Sequence, residues 1–503
     1  MKEITLNRSP SHPVSQCEKT NEFAGSGGRP ARSPNEKPVS HLTPSQAEVA
    51  AGIMEFGRGL TKASVATLAG YAGVGKTTVV AHVVQALAIE HVQIVVLAPT
   101  HKALSVLAEK LGDSEVATAT LQSALALKVR DLPDGQQETE DTGEPGSLKD
   151  YQLAIIDEAS MVSASMFATA LSKRGFCKLL FVGDPAQLPP VDQQRIPGQA
   201  MTSDRELQLS PAFGHHVPLH WKLTEVVRQA ADNPIIRLAT AARECIDRGA
   251  DFSLQVMSQQ LQAGDEDFLA MQSGGIVDVA SLVADALRHG QDTRALALDN
   301  NTVQAVNAHV HAMVFPGQGD YPAGALLMAQ DGFTGWDPES VGSVKWIKVP
   351  VRNSALLTVL DCHEQGHPSE PGRPAYKLQM AADDGTSLVC WVPLDPRQWQ
   401  ADISEHFADY RRLKMREKMS SGSEARALRE QASEASAAGW ALKARFAPLR
   451  YAYAMTVHKS QGSTFDAVVL AWDSFQKSRD IQVRNRLAYV ALTRTRKFAV
   501  VCA

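Results

Sequence analysis

Eight consecutive residues, Gly70-Tyr71-Ala72-Gly73-Val74-Gly75-Lys76-Thr77, constrain this chain more than any other stretch. They follow a short apolar run (65–70) and precede a segment of helical periodicity (77–90). The glycines permit a tight turn whose amides converge on an anion, and the following helix presents its N-terminus to the same point. Lys76 is then placed for β- and γ-phosphates and the Thr77 hydroxyl for Mg²⁺. Gly70 through Thr77, with Thr78 behind them, are therefore the expected site for ATP with Mg²⁺.

Two further apolar runs end in residues suited to the same site. One (152–156) delivers Asp157 and Glu158. Asp157 at a strand end can hold the Mg²⁺ shell, and Glu158 can orient and deprotonate a water for attack on the γ-phosphate. The other (178–183) leads into Gly183-Asp184-Pro185-Ala186-Gln187, where Gln187 can touch the γ-phosphate. Arg228 and Arg494 are candidate arginine fingers from a second domain, each offering a planar positive fork to transition-state charge.

The arrangement along the chain fits an α/β protein with parallel sheets. Apolar runs at 65–70, 92–100, 152–160 and 178–185 are separated by helical segments, and a second such rhythm runs from about 217 to 315 and returns at 465–472 and 498–503. Such runs read as buried parallel strands with ligand loops at their C-terminal ends. Residues 345–400 differ, with short β-rich runs punctuated by Gly, Pro and Asp, and predict a small β-barrel or meander inserted in the second α/β domain. Residues 411–450 carry ten basic and four acidic residues and predict a solvated helix or a basic arm. Residues 1–38, rich in Ser, Pro, Asn and Gly, read as a disordered tail.

Composition narrows the remaining classes. Six cysteines are scattered without a C-x-x-C pair, which argues against a zinc site or a disulfide framework and suits a reducing cytoplasm. No run is long and apolar enough for a membrane span. At a net charge of −5, nucleic acid would be held by local patches and not by a global field.

Taken together the motifs resemble those of superfamily 1 helicases of the RecD/Dda-like, 5′-to-3′ branch, over about residues 39–503 and in the family's order. Leu42-Thr43-Pro44-Ser45-Gln46 resembles the adenine-reading motif, which makes Gln46 the residue bidentate to the base. Pro99, Thr100, His101 and Lys102 lie in a segment similar to the first strand-contacting motif, and Thr120 in the next. His458, Lys459 and Ser460 fall in a close match to the motif that links nucleotide to DNA, and Tyr489–Arg496 match the last motif. The resemblance implies two RecA-like P-loop NTPase domains, residues 39–215 and 216–344 with 449–503, clasping ATP. It also implies that 345–448 hold a Src-homology-type barrel and a charged helical arm. The implied substrates are single-stranded DNA and forked duplex, used by a monomer in replication, recombination or repair, alongside replication or single-strand-binding proteins. The same engine acting on RNA or nucleoprotein is the alternative, because the 2′-OH contacts that separate the two are not legible in these motifs.

One departure concerns residues 126–150, where the branch places a strand-separating pin, sometimes tipped by an aromatic ring. Here the segment has no Phe, Trp or Tyr, and 131–150 carry seven acidic residues.

Overall fold

A computed structural model describes residues 42–112, 116–131, 137–190, 209–225, 233–265, 268–343 and 345–503. The tail 1–38, residues 132–136 and Arg228 lie outside the described residues.

The apolar runs of the first half assemble into a six-stranded parallel sheet, ordered Ala117–Thr120, Ile94–Ala98, Leu153–Ile156, Lys178–Gly183, Val65–Gly70 and Leu219–Leu223. Strands such as Ile94–Ala98 and Leu153–Ile156 are buried along their whole length, because helices cover both faces and leave no solvent side to encode. The chain leaves Val65–Gly70 through the phosphate loop and crosses two strands before re-entering the sheet at Ile94. That jump opens a crevice at the C-terminal strand ends, where ligands bind in sheets of this type.

A second parallel sheet follows, ordered Ala454–Thr456, Thr293–Ala297, Phe465–Ala471, Thr495–Cys502 and Leu269–Gln272. Its edge strand has a side-chain partner: Asn307 accepts from the Ala454 amide at 2.8 Å and donates to the Ala454 carbonyl at 3.1 Å. One apolar core joins the two lobes, since Ala186 and Leu188 after the first sheet pack with Ile235, Leu238, Leu487 and Tyr489 of the second.

The inserted module departs from expectation. It is a seven-stranded antiparallel sheet, ordered Lys348–Val351, Phe333–Trp336, Ser387–Pro393, Ala375–Ala382, Leu356–Glu364, Leu326–Ala329 and Leu449–Tyr451. Among the described residues its two edge strands do not pair, so the expected closed barrel is an open, half-barrel sheet. It draws in two strands upstream of residue 345 and one beyond the charged helices. Helices Pro396–Met419 and Gly422–Arg445 form a hairpin whose root (Trp399, Ile403, Phe407, Leu442) packs on Val389 and Trp391. The helices approach closely at Gly439, where a Cβ would lie 2.9 Å from the Phe407 ring. Toward the tip the basic residues are engaged in ion pairs, Lys414 and Arg429 both reaching Glu417 at 2.7 Å.

Residues 127–141 form an antiparallel ribbon, Leu127–Asp131 against Gln137–Asp141. Its base is fixed by backbone that few residues adopt, Ala126 at φ 52° and Gly146 at φ 72°, and a Cβ on Gly146 would sit 2.5 Å from the Ala124 carbonyl. Lys173 ties the base down, donating to Asp141 at 2.5 Å and to the carbonyls of Leu125 and Glu144 at 2.9 Å. No helix among the described residues is long and apolar enough to cross a membrane.

Candidate nucleotide and nucleic-acid sites

The phosphate loop joins Val65–Gly70 to helix Lys76–Ile89. Gly73 and Gly75 adopt φ of 79° and 80°, a region L side chains rarely enter, and Gly75 is the helix N-cap without any side-chain capping bond. The first amides of this helix are therefore left to an anion. Lys76 Nζ reaches back over the loop to the carbonyls of Gly70 and Tyr71, each at 2.8 Å. Burial lowers its pKa, against the opposing pull of Asp184, Glu158 and Asp157.

The first described helix, Pro44–Gly57, sets the position of this loop. A capping box between Thr43 and Gln46 starts it, and Gln46 is itself buried. Its Oε1 accepts from the Thr43 amide at 3.0 Å and its Nε2 donates to the Val74 carbonyl at 2.9 Å. The side chain that the sequence assigns to a base thus staples helix to loop, and reading adenine would require it to exchange these two bonds.

Asp157 and Glu158 stand at the end of Leu153–Ile156, beside the loop. Asp157 accepts from the Glu158 amide at 2.9 Å, and Glu158 takes a left-handed backbone (φ 50°, ψ 41°). That conformation costs a non-glycine residue about 1–2 kcal/mol, and it turns the second carboxylate away from the strand line. Burial and then Glu158 push the Asp157 carboxyl up to about 6, with Lys76 opposing. A divalent cation would relieve that penalty, and the Thr77 hydroxyl with the Asp157 carboxylate is a hard-oxygen set suited to Mg²⁺. Among the described residues no cluster of three or more His, Cys, Asp or Glu could hold a metal ion.

The second lobe adds its own groups. Arg494 is buried and, among the described residues, donates to neutral oxygens alone: Val490 O at 3.2 Å, Thr493 Oγ1 at 3.0 Å and Ser463 O at 3.5 Å. Burial lowers its pKa while Glu158, Tyr489 and Asp184 oppose. Gln187 is also buried, and among the described residues its Oε1 has no partner; the buried Ser160 and Ser463 hydroxyls and Gln461 Nε2 are likewise unpaired there. Unsatisfied polar atoms in native cores are uncommon, and a set of them drawn from three segments fits a polar ligand such as the γ-phosphate and its water.

Sequence reasoning assigned no role to four residues that the fold brings to this point. Asp184 is fully buried and binds Arg243, Tyr489 and the Ala186 amide. Arg243 stacks 4.0 Å over the Tyr71 ring. Arg486 donates to Pro185 O at 2.5 Å and Gln187 O at 3.1 Å, holding the turn that carries Gln187. Asp184 and Tyr489 lie inside quoted motifs, while Arg243 sits on helix Pro234–Arg248 in a segment with no motif spacing.

The strand-contact residues gather at the other edge of both sheets. Thr100 and Thr120 end adjacent parallel strands, and each hydroxyl caps the next helix, accepting from Ala103 N at 3.2 Å and Ser123 N at 3.3 Å. Pro99 is buried, His101 exposed and Lys102 half-buried, 5.9 Å from the Phe465 ring of the second lobe. In the turn after Ala454–Thr456, Lys459 Nζ bonds Gln330 Oε1 at 2.6 Å. His458 is pushed down by burial, which favours its neutral form, and Ser460 is buried, its hydroxyl donating to Val457 O at 2.8 Å. Gly462 closes the turn at φ 74°, where a Cβ would sit 3.4 Å from the Ala103 amide. The turn thus lies against the helix that carries His101 and Lys102.

Comparison with known proteins agrees with this layout. A family profile described as "AAA domain" matches residues 41–265, and one described as "UvrD-like helicase C-terminal domain" matches 451–502. The chain is 24% identical over 434 residues to the ATP-dependent DNA helicase dda of Enterobacteria phage T4, covering 86% of this chain and 92% of the phage protein. It is 39% identical over 90 residues to the ATP-dependent RecD2 DNA helicase of Deinococcus radiodurans, a stretch covering 18% of this chain and 11% of that protein. Among solved structures, Pif1 helicase from Bacteroides in complex with ADP-AlF3 and ssDNA aligns at a TM-score of 0.46 and 17% identity, over 92% of each chain. With a phosphate loop and acid pair in the first lobe, an arginine from the second, and both profiles in order, the chain belongs to the superfamily 1 helicases of the RecD/Dda-like group.

Proposed function

We propose that the protein hydrolyses ATP to move 5′ to 3′ along single-stranded DNA and to separate the duplex ahead of it. The observation that carries this reading is the convergence of Lys76, Glu158 and Gln187 from one lobe with buried Arg494 from the other. A nucleotide there completes a site that neither lobe holds alone. Lys76 neutralises the β- and γ-phosphates, and Glu158 takes the proton of the attacking water. Arg494 and Gln187 meet the transferring phosphoryl group. Thr77 and Asp157 would hold Mg²⁺, which neutralises phosphate charge. Gln46 reads the adenine by exchanging its bonds to Thr43 and Val74 for the base. The closed arrangement binds ATP, hydrolysis releases it, and the Thr456–Thr464 turn moves with the second lobe against the His101 helix, shifting the grip on the strand. DNA is favoured over RNA because both named relatives are DNA helicases.

Glu158→Gln is expected to bind ATP but to hydrolyse it at least ~100-fold more slowly, the usual worth of a general base. Wild-type turnover in that variant would remove Glu158 from the role. The reading as a whole is tested by steady-state ATPase with and without single-stranded DNA and RNA oligonucleotides. Strong stimulation by DNA supports it, and no stimulation by DNA sinks it.

The acidic ribbon 127–141 acts as a divider that keeps the displaced strand from the groove. It has no ring to stack on a base, and its carboxylates repel phosphate at close range. Replacing 131–138 by a short Gly-Ser turn leaves the Lys173 anchor intact. Unwinding is expected to fall several-fold, with ATPase stimulated by single-stranded DNA unchanged. Unchanged unwinding would reduce the ribbon to a surface loop.

A further inference from the structure

The Asp184 carboxylate is the meeting point of both lobes. It accepts from Tyr489 and from Arg243 on the second-lobe side, and from the Ala186 amide at 3.0 Å on its own side. All three side chains are at least nine-tenths buried. The Tyr489 hydroxyl does more than donate to Asp184: it accepts from the Ala72 amide of the phosphate loop at 2.9 Å. Arg243 lies over the adjacent Tyr71 ring at 4.0 Å. Two successive residues of the loop, 71 and 72, are thereby held by groups that belong to helices Pro234–Arg248 and Ile481–Leu492, which pack on one another in the second-lobe core.

We infer that Tyr489 is a positioning residue that couples lobe closure to the shape of the phosphate loop, acting through its hydroxyl between the Ala72 amide and the Asp184 carboxylate. A phenol is suited to the task because one oxygen can accept from the loop while donating to the carboxylate. The arrangement also explains why the carboxylate is tolerated when fully buried: donors from three directions satisfy it. When the second lobe swings away, Tyr489 and Arg243 leave together. The Ala72 amide loses its acceptor, and Asp184 keeps only the Ala186 amide. The two ends of the swing therefore differ in the order of the loop's first half as well as in the distance of Arg494. A strand that favours closure would in this way set the loop for catalysis from the second lobe.

This inference rests on the ATP-driven reading above, and its test separates the two. Tyr489→Phe keeps the ring and its packing and removes only the oxygen. The quantity to read is the stimulation factor, the ATPase rate with saturating single-stranded DNA divided by the rate without it, together with the thermal midpoint. We expect the factor to fall about tenfold, the rate equivalent of one lost hydrogen bond that matters only in the closed state. Asp184→Asn should lower it as well, and the double variant should lose little more than the worse single one, because both break the same link. A full stimulation factor in Tyr489→Phe would overturn the inference. So would losses that multiply in the double variant, which would show two independent packing roles. If Tyr489→Phe fails to fold, Arg243→Lys, which removes the fork from the same carboxylate, must lower the factor for the inference to stand. A wild-type protein with no stimulation by DNA would overturn both readings, whereas stimulation retained in wild type and variant alike would overturn this one alone.

Discussion

Lys76→Ala should reduce ATP turnover to background while leaving the fold intact. Lys76 is an ammonium set among Asp157, Glu158 and Asp184, and burial works against its charge. Its present partners are two neutral loop carbonyls. Removing it deletes two hydrogen bonds to neutral carbonyls, a small structural loss, but leaves the β- and γ-phosphates facing Asp157 and Glu158 without the loop's own cation between them. In a low-dielectric site that is a repulsion of several kcal/mol by the usual effective dielectric of about 20. Turnover measured by phosphate release, with a thermal melt as the control for folding, decides it. Residual activity within about tenfold of wild type would contradict the assignment of the loop as the catalytic phosphate site, since a single lost electrostatic contact of this kind is generally worth ~10²–10³.

Arg494→Ala should lower DNA-stimulated kcat by roughly 10³ or more, the range found for arginine fingers, with nucleotide affinity much less affected. The structure adds a second expectation. Among the described residues Arg494 has no carboxylate within ion-pair distance, and it is bonded only to backbone and hydroxyl oxygens while fully buried. A buried cation so placed does not stabilise the fold, because its desolvation is not repaid by an ion pair. The variant's thermal midpoint should therefore hold or rise as its kcat collapses. Arg494→Lys should not rescue the rate, since an ammonium lacks the planar fork that spans two phosphate oxygens. An intact stimulated kcat in Arg494→Ala would remove this residue from the γ-phosphate site.

What the sequence made legible follows from the range over which each feature is specified. The phosphate loop, the acid pair and the parallel strands are encoded within ten residues or so, by glycine geometry and uninterrupted apolar runs, and they appear where expected. The charged segment after 396 was readable as helical, but the Ser420-Ser421-Gly422-Ser423 turn that breaks it into a two-helix hairpin, with Gly422 at φ 65°, was passed over. The inserted sheet was misjudged in extent and closure. Its first strands, Leu326–Ala329 and Phe333–Trp336, are only four residues long, and closure depends on pairing between strands about a hundred residues apart. The Tyr489–Asp184 bond spans 305 positions, and no local pattern encodes such a pair. Gln46 shows the reverse case: its motif was visible, but its bond to Val74 emerged only when the helix was seen against the loop.

The most direct test of the central claim is strand separation on two DNA substrates that differ only in polarity, a duplex with a 5′ single-stranded tail and the same duplex with a 3′ tail. With ATP and Mg²⁺ the protein should unwind the 5′-tailed duplex and leave the 3′-tailed one largely paired, and Glu158→Gln should unwind neither. Preferential opening of the 3′-tailed duplex, or ATP hydrolysis without unwinding of either, would contradict it.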